Sequence, residues 1–370
     1  MNILFYTVAN KRSRDIESQA LAFASEGNRI FLLTQSPHSI LHDFFQANGF
    51  TAQSRTPTPR WFPIHVMTEV WALIRYCRQN NIDIIHSHLD PCNLIAVLAQ
   101  YFMRAKVVVT RHHADALVFE ASPKAQRTSR LIYQGARHIV AVSENAKDYM
   151  VNVEKINPEK IQVIPLSFNF QLYTLPEPES VFRIRHDYPA QLLLICVGRL
   201  SPLKRMDQVI DLTHQLFRQG IDVKLLLLGQ GPEEEKLKHQ ANALGMKDRI
   251  VFIGFTHNVL DYLAASDIYV HLSVTEASCT TVKEAALTRT PVIVCRGVGD
   301  FNSYVHHGEN GVLVSREESV AQAAEYLLQH WQDKPHWKNM GENLFTTVTQ
   351  HFNISHALPL YDQLHLKIKG

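Results

Sequence analysis

The 370 residues exceed what one ordinary hydrophobic core organises and suit two domains of roughly 150 to 200 residues each. With 46% apolar residues and a formal net charge of +2, the composition excludes a disordered chain and a nucleic-acid coat, and no nucleic-acid partner is expected. The charge is uneven: residues 1–170 carry 18 Lys/Arg against 13 Asp/Glu and the remainder 19 against 22, so the first half leans toward an anionic acceptor or membrane surface.

The start, MNILFYTVANKRSRD, reads as a strand followed by charges rather than a secretory leader. No segment approaches the 18 or so apolar residues of a spanning helix, so any membrane contact is expected to be peripheral, on the inner face. NILFYTV, RIFLLT, IDIIHS, KVVVT, HIVAVS and IQVIP follow one another as short apolar runs separated by helix-length segments. Parallel strands need such crossovers. Among the intervening segments, RWFPIHVMTEVWALIRYCRQN carries Trp61, Phe62 and Trp71 with Arg60, Arg75 and Arg78. Those residues suit lipid docking, but a helix preceding a strand must bury a face, and core packing is the first expectation.

His86 and His88 close the strand IDIIHSH, and His112 and His113 follow KVVVT. With Asp90 and Asp115 they supply the residue types of a hydrolytic metal centre; a hydrogen-bonded core or cleft position is the commoner fate of such histidines. Cys77, Cys92, Cys196, Cys279 and Cys295 are scattered and never form a Cys-x-x-Cys pair, which argues for a reducing, cytoplasmic setting without a disulfide framework.

After LYTLPEPESV the pattern restarts with QLLLICVG, VKLLLLG, RIVFIGF, DIYVHLS, PVIVC and GVLV. Their near-continuous hydrophobicity predicts strands covered on both faces. The expected architecture is therefore two doubly wound α/β domains joined near residues 167–180, with ligands at the carboxyl ends of the strands and in the cleft between domains. In GRLSPLKRMDQVI, Gly198, Arg199 and Lys204 fall in a strand-to-helix loop, where a guanidinium and an ammonium suit a diphosphate or a solvated surface. LLLLGQGPEEEKL places Gly229 and Gly231 in a second such turn, with Pro232 at a helix start. TEASCTTVKEAAL follows DIYVHLS, so Glu276 lies in a loop and the amides around Thr280 and Thr281 open a helix suited to an anion. Glu284, on that helix, is either an acceptor for sugar hydroxyls or the last member of a Thr281-to-Glu284 capping box.

These loops together resemble the retaining nucleotide-sugar glycosyltransferases of family 4, which have the GT-B fold. GRLSPLK is similar to the family's phosphate-binding segment and EASCTTVKE to its Glu-x7-Glu motif; RIVFIGF, DIYVHLS, TPVIVCRGVGD and HHGENGVLV follow in the family's order. DIIHSH, TRHH, VAVSENAK and VIPLSF match more loosely. The resemblance implies an acceptor-side domain over residues 1–170, a donor domain over 171–350, and a terminal helix over 351–370 returning to the first. It implies that Gly198, Arg199, Lys204, Thr280 and Thr281 hold the donor diphosphate, that Glu284 holds the ribose and Glu276 the transferred sugar, and that His112 contacts that sugar near the reacting carbon. The activity implied is transfer from a nucleotide diphosphate sugar to a saccharide or lipid-linked acceptor with retention, without cofactor; an epimerase or a non-catalytic sugar-nucleotide binder are the alternatives. The chain has no Asp-x-Asp, and no metal is expected. It departs from the family in having TVANKRSRDIE after the first strand, where a Gly-Gly loop is frequent, and Ala277-Ser278-Cys279 between the glutamates.

Overall fold

The computed structural model describes residues 1–9, 11–56, 62–113 and 122–369. The chain divides into two units, Met1–Leu172 with Phe352–Gly370, and Tyr173–His351.

The first unit runs β1 (Asn2–Thr7), α1 (Arg14–Ser25), β2 (Arg29–Thr34), α2 (Ile40–Ala47), β3 (Thr51–Ser54), α3 (Phe62–Gln79), β4 (Ile84–His88), α4 (Asp90–Ala99), β5 (Lys106–Arg111), α5 (Pro123–Gly135), β6 (His138–Ala141), α6 (Glu144–Asn152) and β7 (Ile161–Val163). Its strands pair in parallel in the order β3-β2-β1-β4-β5-β6-β7. Side chains alternate across a strand, and β1 shows the consequence: Ile3 and Phe5 enter one core layer, Leu4 and Tyr6 the other. The layer holding Phe5 is closed by α14 (Ile354–Lys369), which contributes Ala357, Tyr361, Leu364 and Ile368. Phe168 and Phe352 fasten that helix's entry, the Phe168 amide donating to the Phe352 carbonyl and the Ile354 amide to the Phe168 carbonyl.

The second unit contains α7 (Pro178–Asp187), β8 (Leu192–Val197), α8 (Met206–Arg218), β9 (Val223–Leu228), α9 (Glu234–Ala243), β10 (Ile250–Gly254), α10 (Val259–Ala265), β11 (Ile268–His271), α11 (Thr280–Leu287), β12 (Val292–Cys295), β13 (Val312–Val314), α12 (Ser319–His330) and α13 (Lys334–His351). The order is β10-β9-β8-β11-β12-β13, again parallel. Both sheets thus reverse direction once, between β1 and β4 and between β8 and β11. Ligands of doubly wound sheets bind beyond the carboxyl ends of strands at such a reversal.

Candidate active site

In the second unit, the loops after β8 and β11 meet at the reversal. Lys204 ends a short 3-10 turn, Pro202–Lys204, and the β11 loop is tied to that turn by the Ser273 hydroxyl and Val274 amide, which both donate to the Leu203 carbonyl at 3.0 Å. This brings the Lys204 ammonium onto Oε1 of Glu276. His271, the last residue of β11, donates Nε2–H to the same oxygen at 2.8 Å, while its Nδ1 lies 2.9 Å from the Tyr269 hydroxyl. Burial disfavours the Glu276 carboxylate, but the His271 hydrogen bond and the charges of His271 and Lys204 outweigh it and hold the group at about 2. Burial likewise opposes charge on His271; Cys279, whose sulfur lies 3.8 Å from Nε2, and Glu276 lift it to about 9. Glu276 is therefore an ionised acceptor fixed between two cations. Arg199 is exposed on the adjoining loop.

Thr280 begins α11 and Cys279 is its N-cap, with no side-chain capping bond. The capping box offered as one reading of Thr281 is thus not formed: the N-cap lies two residues earlier, Thr281 is inside the helix, and half-buried Glu284 falls in the second turn rather than the first. The first-turn amides, around Thr280 and Thr281, form the anion-favouring end. Pro232 also differs from expectation, since α9 begins at Glu234 and Pro232 lies in the preceding turn. Gly229 is required by the neighbouring chain: at φ +131°, a Cβ there would sit 1.9 Å from the Gly198 carbonyl oxygen. Gly231 is required in the same way, a Cβ there meeting the Leu200 carbonyl oxygen at 2.2 Å, so the glycine pair lets this turn pack against the loop after β8.

Two supporting residues, Lys283 and Asp300, were not singled out from sequence, and Ser278 was named only as a departure from the family pattern. Lys283 is 1% exposed, donating to Asp300 Oδ2 and to the Ser278 hydroxyl at 2.8 Å each, and Ser278 donates to Asp300 at 2.6 Å. The loop Ala277-Ser278-Cys279 is thereby pinned to the segment after β12. The sequence signal was a lysine on the face of α11 shared with Val282 and Ala286.

In the first unit the histidines separate into pairs instead of converging. His86 Nε2 meets His365 Nε2 at 2.8 Å within the core, His113 lies 3.7 Å from Asp90, and His88 Nδ1 is 2.8 Å from His112 Nε2. Asp115 lies outside the described residues, as do Arg60 and Trp61. Among the described residues, two clusters each bring three potential ligand atoms within 4.8 Å of one another: Asp15, His88 and His112, and His271, Glu276 and Cys279. In the first, two nitrogens 2.8 Å apart are closer than the roughly 3.3 Å between ligands on a tetrahedral ion with bonds of about 2.0 Å, so they are hydrogen-bonded to each other. In the second, Lys204 already supplies the cation. On α3, Val66, Val70, Leu73, Ile74 and Cys77 enter the core, while Ile64, Met67 and Trp71 are 52%, 55% and 60% exposed. Core packing therefore accounts for one face of that helix only.

Family models match both halves of the chain: "Glycosyltransferase Family 4" over residues 14–171 and "Glycosyl transferases group 1" over residues 181–346. The chain belongs to glycosyltransferase family 4. Among curated relatives of this glycosyltransferase, it is 25% identical to the N-acetyl-alpha-D-glucosaminyl L-malate synthase of Bacillus anthracis, over 83% of the chain and 80% of the relative. It is 26% identical to the alpha-monoglucosyldiacylglycerol synthase of Streptococcus pneumoniae, over 68% of the chain and 60% of that relative. The crystal structure of Anabaena HepE in complex with UDP and glucose superposes with a TM-score of 0.84 at 20% identity, covering 98% and 99% of the two chains. The two parallel sheets of the glycosyltransferase are those of the GT-B fold.

Proposed function

We propose that this glycosyltransferase moves a sugar from a nucleotide diphosphate sugar to a saccharide or lipid-linked acceptor, with retention at the anomeric carbon and without a metal or other cofactor. The observation that carries this reading is Glu276, kept anionic between Lys204 and His271 at the sheet reversal, beside the amino end of α11. The ammonium of Lys204 has three donors and serves a diphosphate while still bound to Glu276. Arg199 adds a guanidinium fork and the α11 amides add fixed dipoles, so charge developing on the leaving nucleotide is met as it forms. Glu276 accepts hydroxyls of the transferred sugar and Glu284 those of the ribose; His112 contacts the same sugar. The UDP seen in the HepE complex supports a nucleotide donor. We place the protein in the cytoplasm, touching the inner membrane face peripherally through the exposed stripe of α3.

The test is a thermal-shift screen against UDP- and GDP-sugars, since a ligand that prefers the folded state raises its melting temperature. The best donor is then followed by NMR through turnover. A shift, nucleotide release that depends on an acceptor hydroxyl, and a product with the donor's anomeric coupling are expected. Binding without release would make the protein a binder, an epimerised sugar nucleotide would make it an epimerase, and an inverted product would end the retaining assignment.

A further inference from the structure

The first unit has its own cluster at its sheet reversal. Asp15, the second residue of α1, follows β1; His88 ends β4; and His112 follows β5. An Asp15 carboxylate oxygen and one nitrogen of each imidazole lie within 4.8 Å of one another, and Asp15 is itself held by the Ser13 hydroxyl at 2.6 Å. His88 is 1% exposed and lies against the Phe5 ring, 6.1 Å between centroids at an interplanar angle of 24°. Immediately after it the chain turns through Leu89 at φ +71°, a conformation costly for a leucine. His88 Nδ1 and His112 Nε2 are 2.8 Å apart, and His88 Nε2 is buried with no partner among the described residues.

Two neutral imidazoles joined by one hydrogen bond contain one donor and one acceptor at the contact. If His112 donated, His88 would carry its proton on Nε2, leaving a buried N–H without an acceptor. If His88 donates from Nδ1, only a bare ring nitrogen is left unmatched. An orphaned buried N–H is the rarer of the two defects. We propose that His88 is a positioning residue that donates Nδ1–H to His112 Nε2 and so fixes His112 as the Nδ1–H tautomer, a neutral hydrogen-bond donor for an oxygen of the transferred sugar. This rests on the reading above that His112 contacts that sugar.

The groups facing His112 agree with a neutral ring. Protonating it would set two N–H groups against each other across 2.8 Å. Burial lowers the pKa of both histidines; the His112 contact adds to this at His88, which is held at about 3, and His113 lowers His112, while Asp15 raises both and Asp90 raises His112. His112 then works by the direction of its N–H rather than by giving up a proton, and an oriented donor retains its effect through the pH range of the assay.

The experiment uses the full chain labelled with 15N-histidine. Long-range 1H–15N correlations are expected to show His112 protonated on Nδ1 and bare on Nε2, titrating below pH 6.5. His88→Leu removes the donor, and His88→Asn keeps an N–H near the place of Nδ1. His88→Leu should raise the titration midpoint of His112 and lower turnover of the best-shifting nucleotide sugar, with water as acceptor, at least tenfold while leaving donor KM within twofold. His88→Asn should recover most of that rate. An Nε2–H tautomer in the native protein overturns the proposal, and so does a silent His88→Leu beside a damaged His112→Ala. If His112→Ala is itself silent in turnover, the sugar-contact reading of His112 fails, and the tautomer spectrum still decides whether His88 orients the ring. Should His88→Leu not fold, the native spectrum and His88→Asn carry the same decision.

Discussion

Lys204 and Glu276 form the ion pair at the centre of the proposed donor site. The ammonium is opposed by burial and restored by the carboxylate, whose charge raises its pKa above the ordinary value. Removing the ammonium leaves the partly buried Glu276 carboxylate with His271 and, in the proposed reaction, removes a donor for the leaving diphosphate. Arg199→Ala and Lys204→Ala should each lower turnover by about 10²- to 10³-fold and weaken nucleotide diphosphate binding. Glu284→Gln should weaken donor binding by about tenfold with little change in melting temperature, because Cys279 rather than Thr281 caps the helix. Wild-type kinetics in both cation variants would take the β8 loop out of the site. The same network sets a pH window for stability. Glu276, depressed from 4.5 to about 2, stabilises the fold above pH 4.5 and loses that contribution as pH falls toward 2. His271, raised from 6.5 to about 9, stabilises it below pH 6.5 and loses that as pH climbs through 9. The contribution is therefore complete between about pH 4.5 and 6.5. Thermal melts from pH 3 to 10 should show the wild type losing several degrees on either side relative to Glu276→Gln; parallel curves would mean that the network contributes nothing on folding.

At the scale of elements, the strands legible from sequence were those buried on both faces, such as LLLICV and VKLLLL, where hydrophobicity alone marks them. β3 was not foreseen. Its TAQS is polar and mostly exposed because it is an edge strand, so neither periodicity nor apolar content distinguishes it from a loop. The Lys283–Asp300 pair was hidden for another reason: its members are 17 residues apart and meet only through the folded segment after β12. The Glu276 surroundings were half legible, since the loop spacing indicated Lys204 and Glu276, while His271 read as an ordinary strand residue. α3 shows a face that neither reading alone explains. Ile64, Met67 and Trp71 are spaced three and four residues apart, and Arg75 and Arg78 continue the same stripe. An apolar stripe ending in cations suits the boundary of an anionic bilayer. The protein should therefore sediment with phosphatidylglycerol vesicles, less so at high salt and much less after Met67→Ser and Trp71→Ser together, with a blue shift of Trp emission on binding. Equal sedimentation of native and variant protein would remove α3 as the contact.

Across the whole molecule, the strand order of the six-stranded sheet repeats the first six strands of the seven-stranded one, and in each unit the candidate site residues gather at the point of reversal: Asp15 and His88 beside β1 and β4, Lys204 and Glu276 beyond β8 and β11. The topology explains this repetition, because a reversal leaves adjacent strand ends without a shared crossover and opens a crevice there. It also bears on how the leaving diphosphate of the proposed reaction would be neutralised. Positive charge at the reversal of the second unit comes from Lys204, Arg199, His271 and the amino end of α11, and the Glu276 carboxylate is already paired with an ammonium. A cation added to Glu276 would have to displace that ammonium and share the oxygen with the His271 N–H. Fixed donors of this kind stabilise developing charge without a bound ion. Turnover should consequently stay within twofold of its starting rate after exhaustive treatment with EDTA and dialysis into metal-free buffer, and added Mg²⁺ or Mn²⁺ should not raise it. Loss of activity on chelation with recovery on either ion would show that the ammonium and the helix amides are insufficient, and would return the Asp15–His88–His112 and His271–Glu276–Cys279 clusters to consideration as ligands.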